Sequence, residues 1–369
     1  MKIVRIISLV RHTAMIATAK RSLAKGQKVI AMCSRESAPE QLKALEGMTF
    51  VDSEKRGYFR QFKKEVADCD FIFFHSLAED YTFALHMIMH PSLMKKAVWL
   101  IAGADLYSWA RPVKGSFVQR AGARLRNWIA HAYRMRIPYV FCTAVDQYRY
   151  QEEFGRAVVY PQETNSPGFS AEQLDSLRPV LPDEKPLRIL IGHCSYPDLH
   201  HEEVIERLKT CDLPEDTRFV FPLNYGNKDY GDRVAAAAIK AFGNNAEILR
   251  EKIPFEEYAK MLWSVDCAIF LADRQIAFGN LLMLLYMEKK VFLKKNSVLW
   301  RFFAERDVPV FDAEDLDRGV FLDHSSDLTP AKEFVRRVID PERSKEEFDR
   351  IFEDLEKRCK DTNPSYQPS

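Results

Sequence analysis

At 369 residues the chain is too long for one small domain and suits two. Its 47% hydrophobic and 29% charged residues exclude disorder, and 54 Lys+Arg against 53 Asp+Glu leave no global charge that would hold nucleic acid. Seven cysteines without regular spacing fit free thiols in a reducing compartment.

The N-terminal run Ile6, Ile7, Leu9, Val10 follows Lys2 and Arg5, as in a secretion signal. It is short, and Arg11-His12 stand where a cleavage site would need small residues, so a first β-strand is expected. The longest apolar run, Leu281–Met287, is far below the roughly 20 residues that span a bilayer. Strands are expected at Ile3–Val10, Lys28–Cys33, Phe71–Ser76, Val98–Ala102 and Tyr139–Thr143, with helices near Arg56–Ala67, Glu79–His90 and Val113–Arg134. Apolar strands without alternation, separated by amphipathic helices, indicate a parallel sheet covered on both faces.

Between residues 162 and 186 the pattern dissolves into prolines, which reads as a linker after a first domain at 1–161. A second α/β series fills 187–340, with strands at Leu187–Ile191, Arg218–Pro222, Ala246–Leu249, Cys267–Ala272 and Val291–Lys294. The segment 341–369 carries a last helix with one stripe, Phe348, Ile351, Phe352 and Leu355, and then a frayed tail from Asn363. The expected architecture is two doubly wound α/β domains facing a cleft.

In such sheets ligands sit beyond the C-terminal strand ends. The loop Gly192–Asp198 offers a close backbone approach at Gly192, a hydroxyl at Ser195 and a helix cap at Asp198; it suits a phosphate or sugar, or is a plain capped turn. His193, Cys194, His200 and His201 crowd there, but adjacent helical histidines point about 100° apart, so no metal site is expected. The next loop presents Tyr225 and Tyr230 to a base or sugar, or to a domain edge. In Asp273–Asn280, Arg274, Gln275 and a Gly279-Asn280 helix start together suit a diphosphate; an Arg274–Asp273 pair is the structural alternative.

In the first half, Asp105 follows a strand and either accepts a proton from an attacking hydroxyl or caps a turn. His75 should project to the same rim, as a catalyst or a hydrogen-bonding residue. No acidic residue occurs from Leu106 to Val145. There Phe117, Val118, Ala121, Leu125, Trp128 and Ile129 share one helix face and Arg120, Arg124 and Arg134 lie opposite, a basic face for anionic headgroups, a diphosphate-lipid or solvent. The triplets Asp68-Cys69-Asp70 and Asp315-Leu316-Asp317 are poorly placed to hold Mg²⁺ and read as structural.

Taken together, Phe74-His75, Gly103–Tyr107, Thr143 with Asp146, Ile189–Gly192 with Ser195, Pro222 with Tyr225, Glu251-Lys252 with Phe255 and Tyr258, and Arg274-Gln275 with Gly279 resemble the TDP-N-acetylfucosamine:lipid II N-acetylfucosaminyltransferase family. The resemblance implies a GT-B fold, a nucleotide-diphosphate sugar donor, a polyprenyl-diphosphate-linked acceptor and peripheral attachment at the inner face of the cytoplasmic membrane. It places Ser195, Tyr225, Glu251, Arg274, Gln275 and Gly279 on the donor side, to which the loop reading adds Gly192 and Asn280, and His75 and Asp105 on the catalytic or acceptor side. No cofactor or metal is expected. Two rivals are another transfer on this scaffold, of a pyruvyl or phosphosugar group, and a non-catalytic two-lobed sugar-binding protein.

Overall fold

The run Phe71–His75 has no polar face to offer water, and the structure buries all five residues as a central strand. In this computed structural model, residues 1–8, 13–77, 80–108, 110, 113, 115–164, 168–182, 184–323 and 325–362 are described. The loop Val10–His12, the cations Arg111 and Lys114 and the tail from Asn363 therefore lie outside the described residues.

The first unit takes Met1–Glu163 together with the chain from Glu347 onward, and the second takes Thr164–Glu346. In the first unit seven parallel strands, β1 (Ile3–Ile7), β2 (Lys28–Ala31), β3 (Met48–Phe50), β4 (Phe71–His75), β5 (Ala97–Leu100), β6 (Tyr139–Thr143) and β7 (Val158–Gln162), run in the order β3-β2-β1-β4-β5-β6-β7. Register pairs Ile6 with Phe74 and Phe74 with Trp99, so these side chains share the face covered by the helices Tyr81–Ile88 and Phe117–Arg134. The opposite face, with Phe73 and Phe141, is covered by the helix Pro341–Thr362 through Ile351, Leu355 and Cys359. Phe352 stacks 6.1 Å from Phe73, and Tyr160 donates to Asp354 at 2.6 Å.

The second unit repeats the plan with six parallel strands, β8 (Arg188–Ile191), β9 (Arg218–Pro222), β10 (Ala246–Leu249), β11 (Cys267–Phe270), β12 (Lys290–Leu293) and β13 (Phe311–Asp312), in the order β10-β9-β8-β11-β12-β13. The proline-rich stretch after Thr164 packs on this unit. Its helix Ala171–Ser176 buries Leu174, whose carbonyl accepts from the Trp263 indole at 2.9 Å. Each sheet reverses its winding once, between β1 and β4 and between β8 and β11. A doubly wound sheet opens a crevice at such a point, outside its carboxyl ends.

Candidate functional site

At the β8/β11 reversal, β8 exits through Gly192, whose N–H donates to the Ile269 carbonyl at 3.0 Å. Gly192 has φ +64°, and a Cβ there would stand 2.5 Å from Nε2 of the buried His201; both facts require glycine. Ser195, also buried, bonds the Tyr225 carbonyl through both its N–H (2.8 Å) and its hydroxyl (2.6 Å), while its own carbonyl accepts from Asn227. These bonds lace the exits of β8 and β9 into one rigid rim. Over it stands the half-exposed Tyr225 ring, edge-on to Tyr196 at 6.3 Å and to His193 at 5.8 Å. Burial first, and then Arg274, lower the His193 pKa to about 4, so this imidazole is neutral at pH 7. Burial pushes the neighbouring Cys194 thiol up to about 11.

Across the reversal, both Nε (3.0 Å) and Nη2 (2.7 Å) of Arg274 donate to Oδ2 of Asp198. The sequence alternative, a pair with Asp273, does not form, because Asp273 bonds Lys294 at 2.6 Å. Ala277, in the left-handed region at φ 62°, starts the helix Phe278–Tyr286 without any side-chain cap. Its first-turn N–H groups, those of Gly279 and Asn280 included, have no acceptor within the helix. Such a terminus favours negative charge. Gln275 adjoins it, half-buried. Glu251 is exposed past the end of the edge strand β10, two strands from β8. Sequence reasoning weighed His193 only as a metal ligand, and no group of three or more His, Cys, Asp or Glu fit to hold a metal occurs among the described residues. Asp70 accepts from the Lys2 N–H and Asp317 caps the helix Arg318–Leu322, so neither triplet is a free carboxylate pair.

For the first-unit candidates the geometry favours the hydrogen-bonding alternatives. Asp105 is buried, and its carboxylate accepts from the Trp99 indole (2.7 Å), the Leu77 N–H (3.0 Å) and the Ala102 N–H (3.0 Å). Three donors engage it, so it joins loops instead of standing free to take a proton. His75 is buried beside Arg5, which donates to its Nε2 at 3.0 Å; burial and that cation lower its pKa to about 3. It is an internal acceptor, not a rim base. Asp146 accepts from Tyr107 and Thr143, each at 2.9 Å, and burial raises its pKa to about 6.

The helix Phe117–Arg134 also corrects its expectation. Arg134 is 2% exposed; it donates to the Asp105 carbonyl and lies 5.6 Å over the Trp99 ring, so it belongs to the core. Arg120 and Arg124 are exposed, and at 100° per residue they fall beside Phe117 and Trp128, not opposite them. The apolar face is exposed as well, with Phe117 and Val118 at 77%, Trp128 at 65% and Leu125 at 58%. The helix instead buries Ala123, Ile129, Ala132 and Tyr133. No helix among the described residues is long and apolar enough to cross a membrane.

Residues 14–333 match the protein family described as 4-alpha-L-fucosyltransferase, glycosyl transferase group 56. Among solved structures, the chain is similar to Anabaena HepE in complex with UDP-glucose, with 13% identity, TM-score 0.60, and coverage of 99% of this chain and 100% of that one. It is similar to a glycosyltransferase from Rickettsia africae at 14% identity and TM-score 0.62, covering 96% and 98% of the two chains. It is also similar to the trehalose-6-phosphate synthase OtsA at 10% identity and TM-score 0.59, covering 96% and 99%. At these identities the likeness shows the fold, which is GT-B.

Proposed function

We propose, for a chain that belongs to the 4-alpha-L-fucosyltransferase family of glycosyl transferase group 56 and is a GT-B glycosyltransferase, that it moves a deoxyamino sugar from a nucleotide-diphosphate donor of the TDP-N-acetylfucosamine kind to a lipid-linked saccharide. The observation that carries this reading is the β8/β11 reversal. There the Gly192–Ser195 rim, the Tyr225 ring, Arg274 and an uncapped helix start come to the carboxyl end of one sheet. UDP-glucose in the HepE structure supports a nucleotide-sugar donor for this fold.

On this reading Gly192 and Ser195 give the donor a close backbone wall, Tyr225 a ring to lie against, and Gln275 and Glu251 polar contacts. The departing diphosphate gains charge as the glycosidic bond breaks. Arg274 and the first-turn N–H groups at Gly279 and Asn280 stabilise that charge without a divalent cation. The lipid-linked acceptor and work at the inner face of the cytoplasmic membrane are supported by the exposed Phe117–Trp128 stripe with Arg120 and Arg124 beside it. Family membership sets aside pyruvyl transfer and a non-catalytic role.

A thermal-shift series tests the reading, because a bound nucleotide adds RT ln(1 + [L]/Kd) of stability. TDP or UDP should raise the melting temperature more than free phosphate does. If neither outperforms phosphate, the donor assignment falls.

A further inference from the structure

In the first unit, the helix Tyr58–Glu65 and the last turn of the helix Tyr81–Ile88 enclose an open pocket of about 410 Å³. Three exposed cations line it, Arg56, Arg60 and Lys63. Among the described residues none of the three pairs with a carboxylate. Asp52 instead pairs with Lys55 at 3.6 Å and Glu65 with Lys28 at 2.6 Å, while Asp80 accepts from the Tyr58 hydroxyl and the Thr82 N–H. Arg60 and Lys63 stand one turn apart, where like charges repel each other. A bound anion would remove that repulsion. The rest of the lining is rings. His86 lies on the buried Phe59, with centroids 4.6 Å apart and planes at 19°, and Tyr58 meets His86 edge-on at 6.3 Å. His90 packs 5.0 Å from Phe59 and is held by a 2.7 Å bond from its Nδ1 to the His86 carbonyl. The helix Tyr81–Ile88 begins beyond the β4 exit and His86 is in its last turn, so the pocket is set back from the carboxyl ends of the strands.

Charge and size narrow the ligand. A carboxylate brings one charge to three cations, whereas a phosphate monoester carries about −1.5 to −2 at pH 7 and offers three acceptor oxygens. Two of the cations are guanidinium forks, which match phosphate oxygens in pairs. Small-molecule sites run to roughly 300–1,000 Å³, and this pocket falls in that range. Inorganic phosphate alone would leave the rings uncovered, while a flat or ring-shaped body would lie against them. We propose that this pocket binds a phosphate monoester carried on a ring, a nucleoside monophosphate or a sugar phosphate. Its phosphate is held by Arg56, Arg60 and Lys63, and its ring lies against His86 and Tyr58. This site is separate from the donor site at the β8/β11 reversal and does not rest on the glycosyltransferase reading.

Isothermal titration of the full chain with UMP, glucose 1-phosphate and inorganic phosphate tests it. At least one ester should bind tenfold more tightly than inorganic phosphate, and the tighter of the two names the ring. Arg60→Gln with Lys63→Gln should weaken that ester at least tenfold and leave the melting temperature in place, because both side chains are exposed. Should this double variant melt lower, Arg56→Gln, outside the helix, takes its place. His86→Ala should weaken the ester at least threefold and leave inorganic phosphate unchanged. Arg274→Ala, in the second unit, should leave ester binding intact. The proposal is overturned if neither ester outbinds inorganic phosphate, or if ester binding survives the pocket variants and disappears with Arg274→Ala. It is also overturned if phosphatidylglycerol vesicles bind through Arg60 and Lys63 while neither ester does, which would assign these cations to a lipid surface. The thermal shift with TDP should persist in the pocket variants, so the donor reading stands or falls separately.

Discussion

The N–H of Leu77 donates to the Asp105 carboxylate at 3.0 Å, tying the exits of β4 and β5 across 28 residues of chain. The same carboxylate holds the Trp99 indole and the Ala102 N–H, so it fixes the turn containing the left-handed Ser76. Asp105→Asn turns an NH₂ toward groups that can only donate. It should lower unfolding free energy by about 2–4 kcal/mol in urea, as for a buried, multiply bonded carboxylate. Nucleotide-induced stabilisation of the second unit should be unchanged. An Asp105→Asn protein as stable as wild type would show that the three bonds contribute little.

Interfacial binding should depend on the exposed apolar stripe as well as on charge. Leu125→Ser with Trp128→Ser should reduce sedimentation with phosphatidylglycerol vesicles several-fold while leaving the melting temperature in place, because both side chains are exposed. Arg120→Glu with Arg124→Glu should also weaken it, and wild-type binding should fall as salt rises. Binding indifferent to both pairs would remove the membrane reading.

Acid should destabilise the protein through three buried neutral histidines. The folded pKa values of His75 and His201 are lowered to about 3 and that of His193 to about 4, each chiefly by burial. Between about pH 4 and 6.5 the unfolded chain binds more protons at these sites. Stability therefore falls as pH drops through that window, by up to about 1.4 kcal/mol per pH unit for each. Asp146 works in the opposite sense: burial raises its folded pKa from 3.8 to about 6, so its contribution falls as pH rises between those values. Urea unfolding from pH 4 to 7 should show wild type gaining stability with pH and Asp146→Asn gaining it more steeply. Parallel curves would show that Asp146 ionises normally.

Arg274→Ala should weaken nucleotide binding and lower kcat/KM together, by roughly 2–4 kcal/mol in barrier, the scale of losing one charge-stabilising donor. Arg274→Lys should rescue only part, keeping the charge and losing the fork. The Asp198 pair does not oppose this role, because a half-exposed pair opens at little cost. Excess EDTA should leave wild-type turnover intact. Loss of turnover restored by Mg²⁺ would assign the diphosphate charge to a metal instead.

The buried central strands were legible because they are uninterrupted apolar runs. The strands missed, Met48–Phe50, Val158–Gln162 and Phe311–Asp312, are all sheet edges, short or carrying Pro161, where less burial shapes the sequence. The Ala171–Ser176 helix escaped notice because one residue, Leu174, anchors it. On the site, the loop chemistry around Gly192, Ser195 and Arg274 was readable, but its pairings were not. Asp198 lies 76 residues from Arg274, and no local pattern links them. The helix Phe117–Arg134 shows the limit of periodicity: a wheel finds an apolar face, and only packing decides whether that face is covered. Here Ala123, Ile129 and Tyr133 are covered and Phe117 and Trp128 are not.

The return of the helix Pro341–Thr362 to the first sheet has a consequence for synthesis. Ribosomal chains commonly fold domain by domain from the N-terminus. In this protein the face carrying Phe73 and Phe141 stays uncovered until Ile351, Leu355 and Cys359 have been made, by which time the whole second unit has been synthesised. The unit begun first is thus finished last. A chain that loses the final helix would carry a folded second unit beside a first unit with an open aromatic face, a form suited to capture by chaperones.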